Sequence, residues 1–307
     1  MNDEAPAVAV CLCTFRRPAV LERLLHQLQV VAADAEGVAR VGIVVVDDDA
    51  GASARSVAES FTNSFALGLQ YANTASGNIS TARNRALNIG MEFGTWLALI
   101  DDDCRPSDDW VRQLMVVQER TGADCVTGHC IDIAPAGAPS WLTTESFLDE
   151  FSPGPDGCAI GVGPLKNTLI STSFLRRTGL RFQPALGRTG GEDVSFFYSA
   201  NDAGMSHHFA RHAVVCEEIP LERTTLRYQL GRRLWYGNTE AFTSISGGRY
   251  SRTRFLVSGA KQVALSAARP VVNLLGRHPL QWRFAVAEML RGIGRLLGAC
   301  GIRLRHH

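Results

Sequence analysis

The chain has no run of 18 uninterrupted apolar residues, no cysteine pair spaced C-x-x-C and no internal repeat. It also has no G-x-G-x-x-G fingerprint after its first strand-like run. Each absence excludes a class. No transmembrane helix is expected without a long apolar run. Eight scattered cysteines, of which only Cys11 and Cys13 stand close together and those within an apolar run, read as buried free thiols in a reducing compartment, not as a metal or disulfide framework. A dinucleotide-dependent oxidoreductase is not expected without its glycine fingerprint. The opening MNDEAPAVAV lacks the basic region and cleavage site of a secretory signal.

Net charge is nearly missing too, at +1. That total hides a split. Residues 221–307 hold 15 of the 31 basic residues and only 3 of the 30 acidic ones, so residues 1–220 hold 16 and 27. An acidic body with a basic tail points to an anionic partner. Hydrophobic residues make up 46% and charged residues 20% of the 307, enough apolar side chain for a large core and too much for disorder.

What is there begins as alternation. Apolar runs at 8–12, 41–46 (VGIVVV), 67–71 and 96–100 (WLALI) read as strands. Helical spacing follows at 18–28, 53–61, 78–92 and 108–120. Continuous apolar runs fit parallel strands buried on both faces. The pattern predicts an α/β fold with a mostly parallel, doubly wound sheet and flanking helices. Residues 134–165 and 182–191 read as long Gly- and Pro-rich loops, 194–203 as a helix and 214–216 as a last strand fragment. Beyond Pro220 the chain becomes Arg-rich, with amphipathic helical stretches at 225–245, 255–268 and 282–302. The expected division is a catalytic domain, 1–222, and a basic helical C-terminal region, 223–307.

Two aspartate triplets stand where strands should end: Asp47, Asp48 and Asp49, and Asp101, Asp102 and Asp103. Ligands bind at that rim of a parallel sheet. Asp101 and Asp103 alternate, so in an extended segment both face one side, and a hard cation such as Mg²⁺ or Mn²⁺ would relieve their repulsion. A solvated loop or a cap for the turn at Pro106 would show the same triplet. Asp47 suits a ribose or base N–H, and equally a capping turn. The segment GNISTARN (77–84) brings a helix N-terminus and Arg83, both suited to phosphate. Glu192 and Asp193 open a helix after two glycines, where the dipole favours an ionised carboxylate. That suits a general base, or simple capping.

Together these segments resemble family 2 glycosyltransferases, the inverting enzymes of the GT-A fold, and within them the exopolysaccharide type. CLCTFRRPAVLERLLHQL, VVVDDD, NISTARNRAL, WLALIDDDCRPSDDWV, GGEDVSFFYSANDAGM and VVCEEIPLERTTLRY occur in the family's order across about residues 6–240. The resemblance implies transfer of a sugar from a nucleoside-diphosphate sugar, UDP-linked by family frequency, to a hydroxyl of a saccharide or lipid-linked saccharide. It implies Thr14 and Asp47 at the nucleobase and ribose, with Phe15, Arg16, Asp48 and Asp102 in the same nucleotide-sugar-binding set. It implies Arg83 near the base or diphosphate, and Asp101 and Asp103 as the DxD pair on metal and diphosphate. Asp193 matches the general base, and Glu192 its neighbour at the acceptor. Many relatives carry a histidine where this chain has Glu217, which leaves Glu217, His207, His208 or His212 as the third metal ligand. The segment 229–235 is loosely similar to the Q-x-x-R-W motif of processive synthases, which implies Arg232 and Trp235 as acceptor contacts.

Three other readings compete. A nucleotidyltransferase would open with a Gly-rich loop and a lysine, and this chain has CTFRR there. The oxidoreductase lacks its fingerprint, and a non-catalytic scaffold would not keep Asp101, Asp103, Glu192 and Asp193. The basic tail reads as a solvated cap or as a peripheral contact with an anionic membrane surface on the cytoplasmic face. Trp282, Phe284, Val286, Met289, Leu290 and Ile293, interleaved with Arg283, Arg291 and Arg295, have the pattern of an interfacial helix. No nucleic acid is expected, because no recognisable module underlies the charge.

Overall fold

The apolar runs form the centre of the sheet. In the computed structural model, which describes residues 5–276 and 279–304, β1 (Ala7–Thr14) and β2 (Arg40–Asp47) pair in parallel from Ala7 opposite Arg40 to Thr14 opposite Asp47. The acidic start of the chain, 1–4, and the tail cations Arg277 and Arg305 lie outside the described residues. Every residue of β2 but Arg40 is buried, as a strand covered on both faces requires. β3 (Leu69–Asn73) extends the parallel sheet beside β2, and β4 (Trp96–Leu99) extends it beside β1.

The crossovers are helical. α1 (Pro18–Asp34) starts on a proline, whose fixed φ suits a first turn, and buries Leu21, Leu24, Leu25 and Leu28. α2 (Arg55–Ser60) leads to β3. α3 (Ile79–Phe93) is capped by Asn78, whose side chain accepts from the Thr81 N–H. Gly90 lets α3 lie close on the sheet, since a Cβ there would stand 2.7 Å from Cys11 Sγ.

The other half of the sheet is antiparallel. Past β5 (Cys104–Pro106) and α4 (Trp110–Thr121) come β6 (Cys125–Ile133), α5 (Trp141–Thr144), β7 (Glu150–Phe151) and β8 (Thr168–Ser171). After α6 (Thr172–Thr178) and α7 (Glu192–Asp202), β9 (His207–Glu218) closes the set. β8 runs antiparallel to β4 and β6, β7 to β6, and β9 to β5, in the order β3-β2-β1-β4-β8-β6-β9-β5. β6 and β8 are not anticipated by the apolar pattern, and β9 is four times longer than its expected fragment, because polar residues interrupt β6 and β9. Gly128 in the middle of β6 has a packing cause: a Cβ would lie 2.2 Å from the Ala213 carbonyl oxygen.

The chain divides into two units. The first runs to Ile131 and resumes over Glu150–Arg188 and Glu192–Glu217, and it holds the sheet. The second comprises Asp132–Asp149, Thr189–Gly191 and the chain from Glu218, and it is helical. Its main elements are α8 (Leu226–Ser246), α9 (Arg252–Leu275) and α10 (Trp282–Ala299).

The interfacial pattern expected in α10 has another cause. α10 packs on both α8 and α9, through glycines that allow close backbone approach. A Cβ on Gly294 would lie 2.1 Å from the Leu234 carbonyl, and one on Gly237 2.0 Å from the Arg291 carbonyl. Phe284 stacks edge-on against Phe147 at 5.8 Å, beside Leu142 and Ala287. Its arginines are taken: Arg291 and Arg295 pair with Glu240, and Arg283 with Glu145. Of the apolar side chains named for the interface, only Trp282 is exposed. No helix among the described residues is long and apolar enough to cross a membrane.

Candidate active site

β1 and β4 deliver their next residues to one rim. Thr14 ends β1, and the chain past β4 continues through Ile100 into Asp101, Asp102 and Asp103. A cleft of about 500 Å³ opens there, lined by Thr14, Phe15, Arg17, Asp48, Arg83 and all three aspartates. Thr14 Oγ1 donates to Asp102 at 2.7 Å, which ties the two strand ends together. The turn after β1 is strained: Arg16 has φ of 57°, a region non-glycine residues seldom adopt. That strained backbone carries Phe15 and Arg17 on either side into the cleft wall.

Arg83 is the hub of the site. From the first turns of α3 its Nη1 donates to Glu192 at 2.7 Å and its Nη2 to Asp101 at 3.3 Å. It therefore joins the aspartate cluster to the first turn of α7. Burial opposes the charge on Arg83, but Asp101, Glu192 and Asp193 outweigh it and hold the guanidinium above the usual arginine range. Burial also raises Glu192, opposed by Arg83 and assisted by Asp193. Asp193 accepts from the Val194 N–H at 2.7 Å, within the dipole field of the helix start. Gly190 and Gly191, just before, have φ of 83° and 85°, which explains the glycine pair.

The second cluster lies around Asp103. Arg17 bridges Asp103 at 2.9 Å and Asp102 at 3.4 Å. Burial pushes the Asp102 carboxyl up to about 6, with Asp103 adding to the rise and the Thr14 hydrogen bond opposing it. Burial raises Asp103 as well, and Glu217 and Asp101 add to it. Ligand atoms of Asp103, Cys104 and Glu217 lie within 4.8 Å of one another. Burial raises the Cys104 thiol far above its ordinary range, and a hard cation prefers the carboxylate oxygens beside it to sulfur. Crowded, desolvated carboxylate oxygens are the donor set that Mg²⁺ or Mn²⁺ prefers. The residues present therefore fit a divalent cation, with Asp103, Glu217 and the adjacent Asp101 to hold it. The three histidines stand elsewhere. His207 is buried against Phe197 and bonded to Thr127, His208 faces the Gly157 carbonyl, and His212 lies in the field of Asp156.

The first aspartate triplet is dispersed. Asp47 does not line the cleft: it is fully buried, and its oxygens accept from the N–H groups of Asp49 and Ala54 and from Tyr71 Oη. Asp48 does line it, while bracing the loop before α3 through Thr74 Oγ1, the Ser76 N–H and Oγ, and the Asn78 N–H, all within 2.8 Å. Burial would raise Asp48, and those donors hold it below the usual carboxylate range. Arg16 does not line the cleft and donates to Asp49. In the second unit, Arg232 is committed to Asp149 at 2.9 Å, Asp132 at 3.6 Å and Tyr236 Oη at 2.8 Å. Trp235 packs over Gly190, where a Cβ would come within 2.3 Å of the ring.

Two charged residues were not picked out by sequence. Arg17 is legible afterwards, since a residue just before a helix-starting proline at a strand-end turn faces the rim. Lys166, whose Nζ lies 2.5 Å from Glu217 Oε2, had no local signal, because β9 brings its partner from 51 residues away.

Comparison with known proteins identifies the family and the fold. The family described as Glycosyl transferase family 2 matches residues 9–179. Over 239 residues the chain is 32% identical to the succinoglycan biosynthesis protein ExoM of Rhizobium meliloti (strain 1021), covering 78% of this chain and 75% of that one. Among solved structures, GalNAc-T7 with UDP, GalNAc and Mn²⁺ aligns with a TM-score of 0.53 at 16% identity, over 79% of this chain and 50% of that protein. TarS of S. aureus in complex with UDP aligns with a TM-score of 0.52 at 17% identity, over 94% and 89%. These likenesses fix the fold as GT-A, and the family match and the ExoM relative go further: the chain belongs to glycosyl transferase family 2 and is a glycosyltransferase.

Proposed function

We propose that the enzyme moves a sugar, with inversion, from a UDP-linked donor to a hydroxyl of a saccharide or lipid-linked saccharide during exopolysaccharide assembly. The observation that carries the reading is Arg83, which joins Asp101 of the cleft to Glu192 at the first turn of α7. One residue thus ties the donor-side carboxylates to the neighbour of the proposed base. UDP in both fold relatives, Mn²⁺ in one of them and the succinoglycan role of ExoM support the donor, the cation and the product class.

In this reading Thr14, Phe15 and Asp48 seat the nucleoside, and Arg17 and Arg83 face the diphosphate. Asp193 takes the proton of the acceptor hydroxyl as its oxygen attacks the anomeric carbon opposite the leaving diphosphate. Glu192, held by Arg83, orients the acceptor. Bound at Asp101, Asp103 and Glu217, Mg²⁺ or Mn²⁺ would supply neutralisation of charge developing on the diphosphate. Residues 1–222 form the catalytic part. Residues 223–307 serve the acceptor, with Trp235 in contact and Arg232 in support, and meet the anionic inner face of the cell membrane.

The test is transfer from UDP-sugars by Asp193→Asn, with Mn²⁺ and with chelator. Loss of about 10²–10⁴-fold in kcat with an unchanged melting temperature is expected, the range for a lost general base. Near wild-type transfer by a folded variant would refute the base. Full turnover in chelator would refute the cation, and a product retaining the donor's anomeric configuration would refute inversion.

A further inference from the structure

α9 is built unlike its neighbours. Val257, Leu265, Val272 and Leu275 are 63, 61, 62 and 80% exposed. Positions 257, 261, 264, 268, 272 and 275 recur every three or four residues and share one helical face. That face is Val, Lys, Ala, Ala, Val and Leu, and Leu265 lies beside it. A mostly apolar row of this kind on a helix, interrupted only by Lys261, marks a contact surface. The opposite edge of α9 is satisfied, with Phe255, Gly259 and Ser266 buried.

Charge identifies the occupant. α9 contains no acidic residue, and it carries Arg252, Arg254, Lys261 and Arg269. A cavity of about 630 Å³ runs along it, lined by Leu265 and Val272 together with Lys261, Arg269 and Arg295. The acid in that lining, Glu288, accepts from Gln262 Nε2 at 2.7 Å. Apolar side chains flanked by cations match an anionic bilayer, which offers hydrocarbon to the row and negative headgroups to the arginines and lysine. At about 1.5 Å rise per residue a helix of this length covers roughly 36 Å of surface. The arginines of α10 are already paired with Glu240 and Glu145, whereas on α9 Arg254 rests over the Tyr250 ring and Arg269 over Phe284 and against Gln281, contacts that leave their positive charge without an acid beside it among the described residues.

We propose that α9 is the face on which the enzyme lies on an anionic lipid bilayer. This deepens the membrane contact of the proposed function and rests on it. The experiment is flotation of the full-length protein with phosphatidylcholine vesicles, with and without phosphatidylglycerol. Wild type is expected to float only with the anionic vesicles. Leu265→Glu with Val272→Glu, both at solvent-exposed positions, should lower partitioning by about tenfold or more. Lys261→Gln with Arg254→Gln should lower it by roughly fivefold per cation and leave the apolar row intact. Val116→Glu, an exposed apolar site on α4, should float like wild type. If wild type floats and both α9 variants float equally well, the membrane reading stands and the assignment of α9 fails. If wild type does not float, the membrane reading itself fails. If it does not float and the Leu265/Val272 variant instead changes the mass in light scattering, the face joins copies of the chain, and the proposal is overturned.

Discussion

His207 gives the clearest quantitative test of the sheet that carries the site. It is 3% exposed, stacked flat on Phe197 at 5.1 Å and bonded through Nε2 to Thr127 Oγ1 at 2.8 Å. Burial pushes its pKa from 6.5 down to about 4. The folded state therefore resists a proton that the unfolded state accepts. The group costs nothing above the unfolded value, and stability falls as pH drops through 6.5 toward 4. At about pH 5 the linkage costs roughly 2 kcal/mol relative to about pH 7.5, and it approaches about 3 kcal/mol below both values. For a unit of this size that is a fall of about 4–8 °C in melting temperature. His207→Phe keeps a ring against Phe197 and cannot be protonated, and Thr127 keeps its bond to Thr168 at 2.9 Å. Other groups titrate alike in both proteins, so the difference between their melting curves isolates His207. The expected result is a steeper acid decline for wild type than for His207→Phe, with equal stabilisation of both by Mn²⁺. Parallel declines would refute the buried neutral histidine. Loss of the Mn²⁺ response in the variant would make His207 a metal ligand after all.

Two further outcomes follow from the packing. Gly190→Ala places a Cβ 2.3 Å from the Trp235 ring at φ of 83°, so it should cost about 3 kcal/mol from left-handed strain plus overpacking; thermal melts should show Trp235→Leu recovering part of that loss. Asp47→Asn and Asp48→Asn should separate. The first puts an amide against three donors and should cost about 1–3 kcal/mol of stability with UDP affinity kept. The second should loosen the loop before α3 and weaken UDP by about tenfold, read by titration calorimetry beside a melt.

The two aspartate triplets show what the sequence could and could not disclose. Both follow apolar strands of one sheet, and both reach the expected rim. Strand position was legible from VGIVVV and WLALI, because continuous apolar runs admit few other placements. Side-chain direction was not. Asp47 turns inward because the Ala54 N–H and Tyr71 Oη stand there to receive it, and both come from segments whose approach only the folded chain determines. Asp101, Asp102 and Asp103 stay at the cleft because Arg83, Thr14 and Arg17 hold them there. Glu217 was legible as a strand-end acid, and the fold brings it beside Asp103, whereas Lys166 was hidden, since its role depends on a partner 51 residues away.

Charge was misleading in total and informative in place. The tail's positive excess is partly spent inside the second unit, where Arg232 and Arg233 meet Asp149, Arg283 meets Glu145, and Arg291 and Arg295 meet Glu240. Among the described residues, the exposed cations without an acid partner include Arg252, Arg254 and Lys261 of α9, a helix with no acid of its own. In the body the reverse holds. Around the cleft, Asp101, Asp102, Asp103, Glu192, Asp193 and Glu217 face Arg17, Arg83 and Lys166, which leaves carboxylates in excess at the place where a divalent cation fits. Buried like charges at such spacing cost more than surface ones, because low dielectric strengthens their repulsion. An excess kept there, against that cost, fits the proposed divalent cation, which would offset it, whereas acids serving only solubility would be dispersed over the surface.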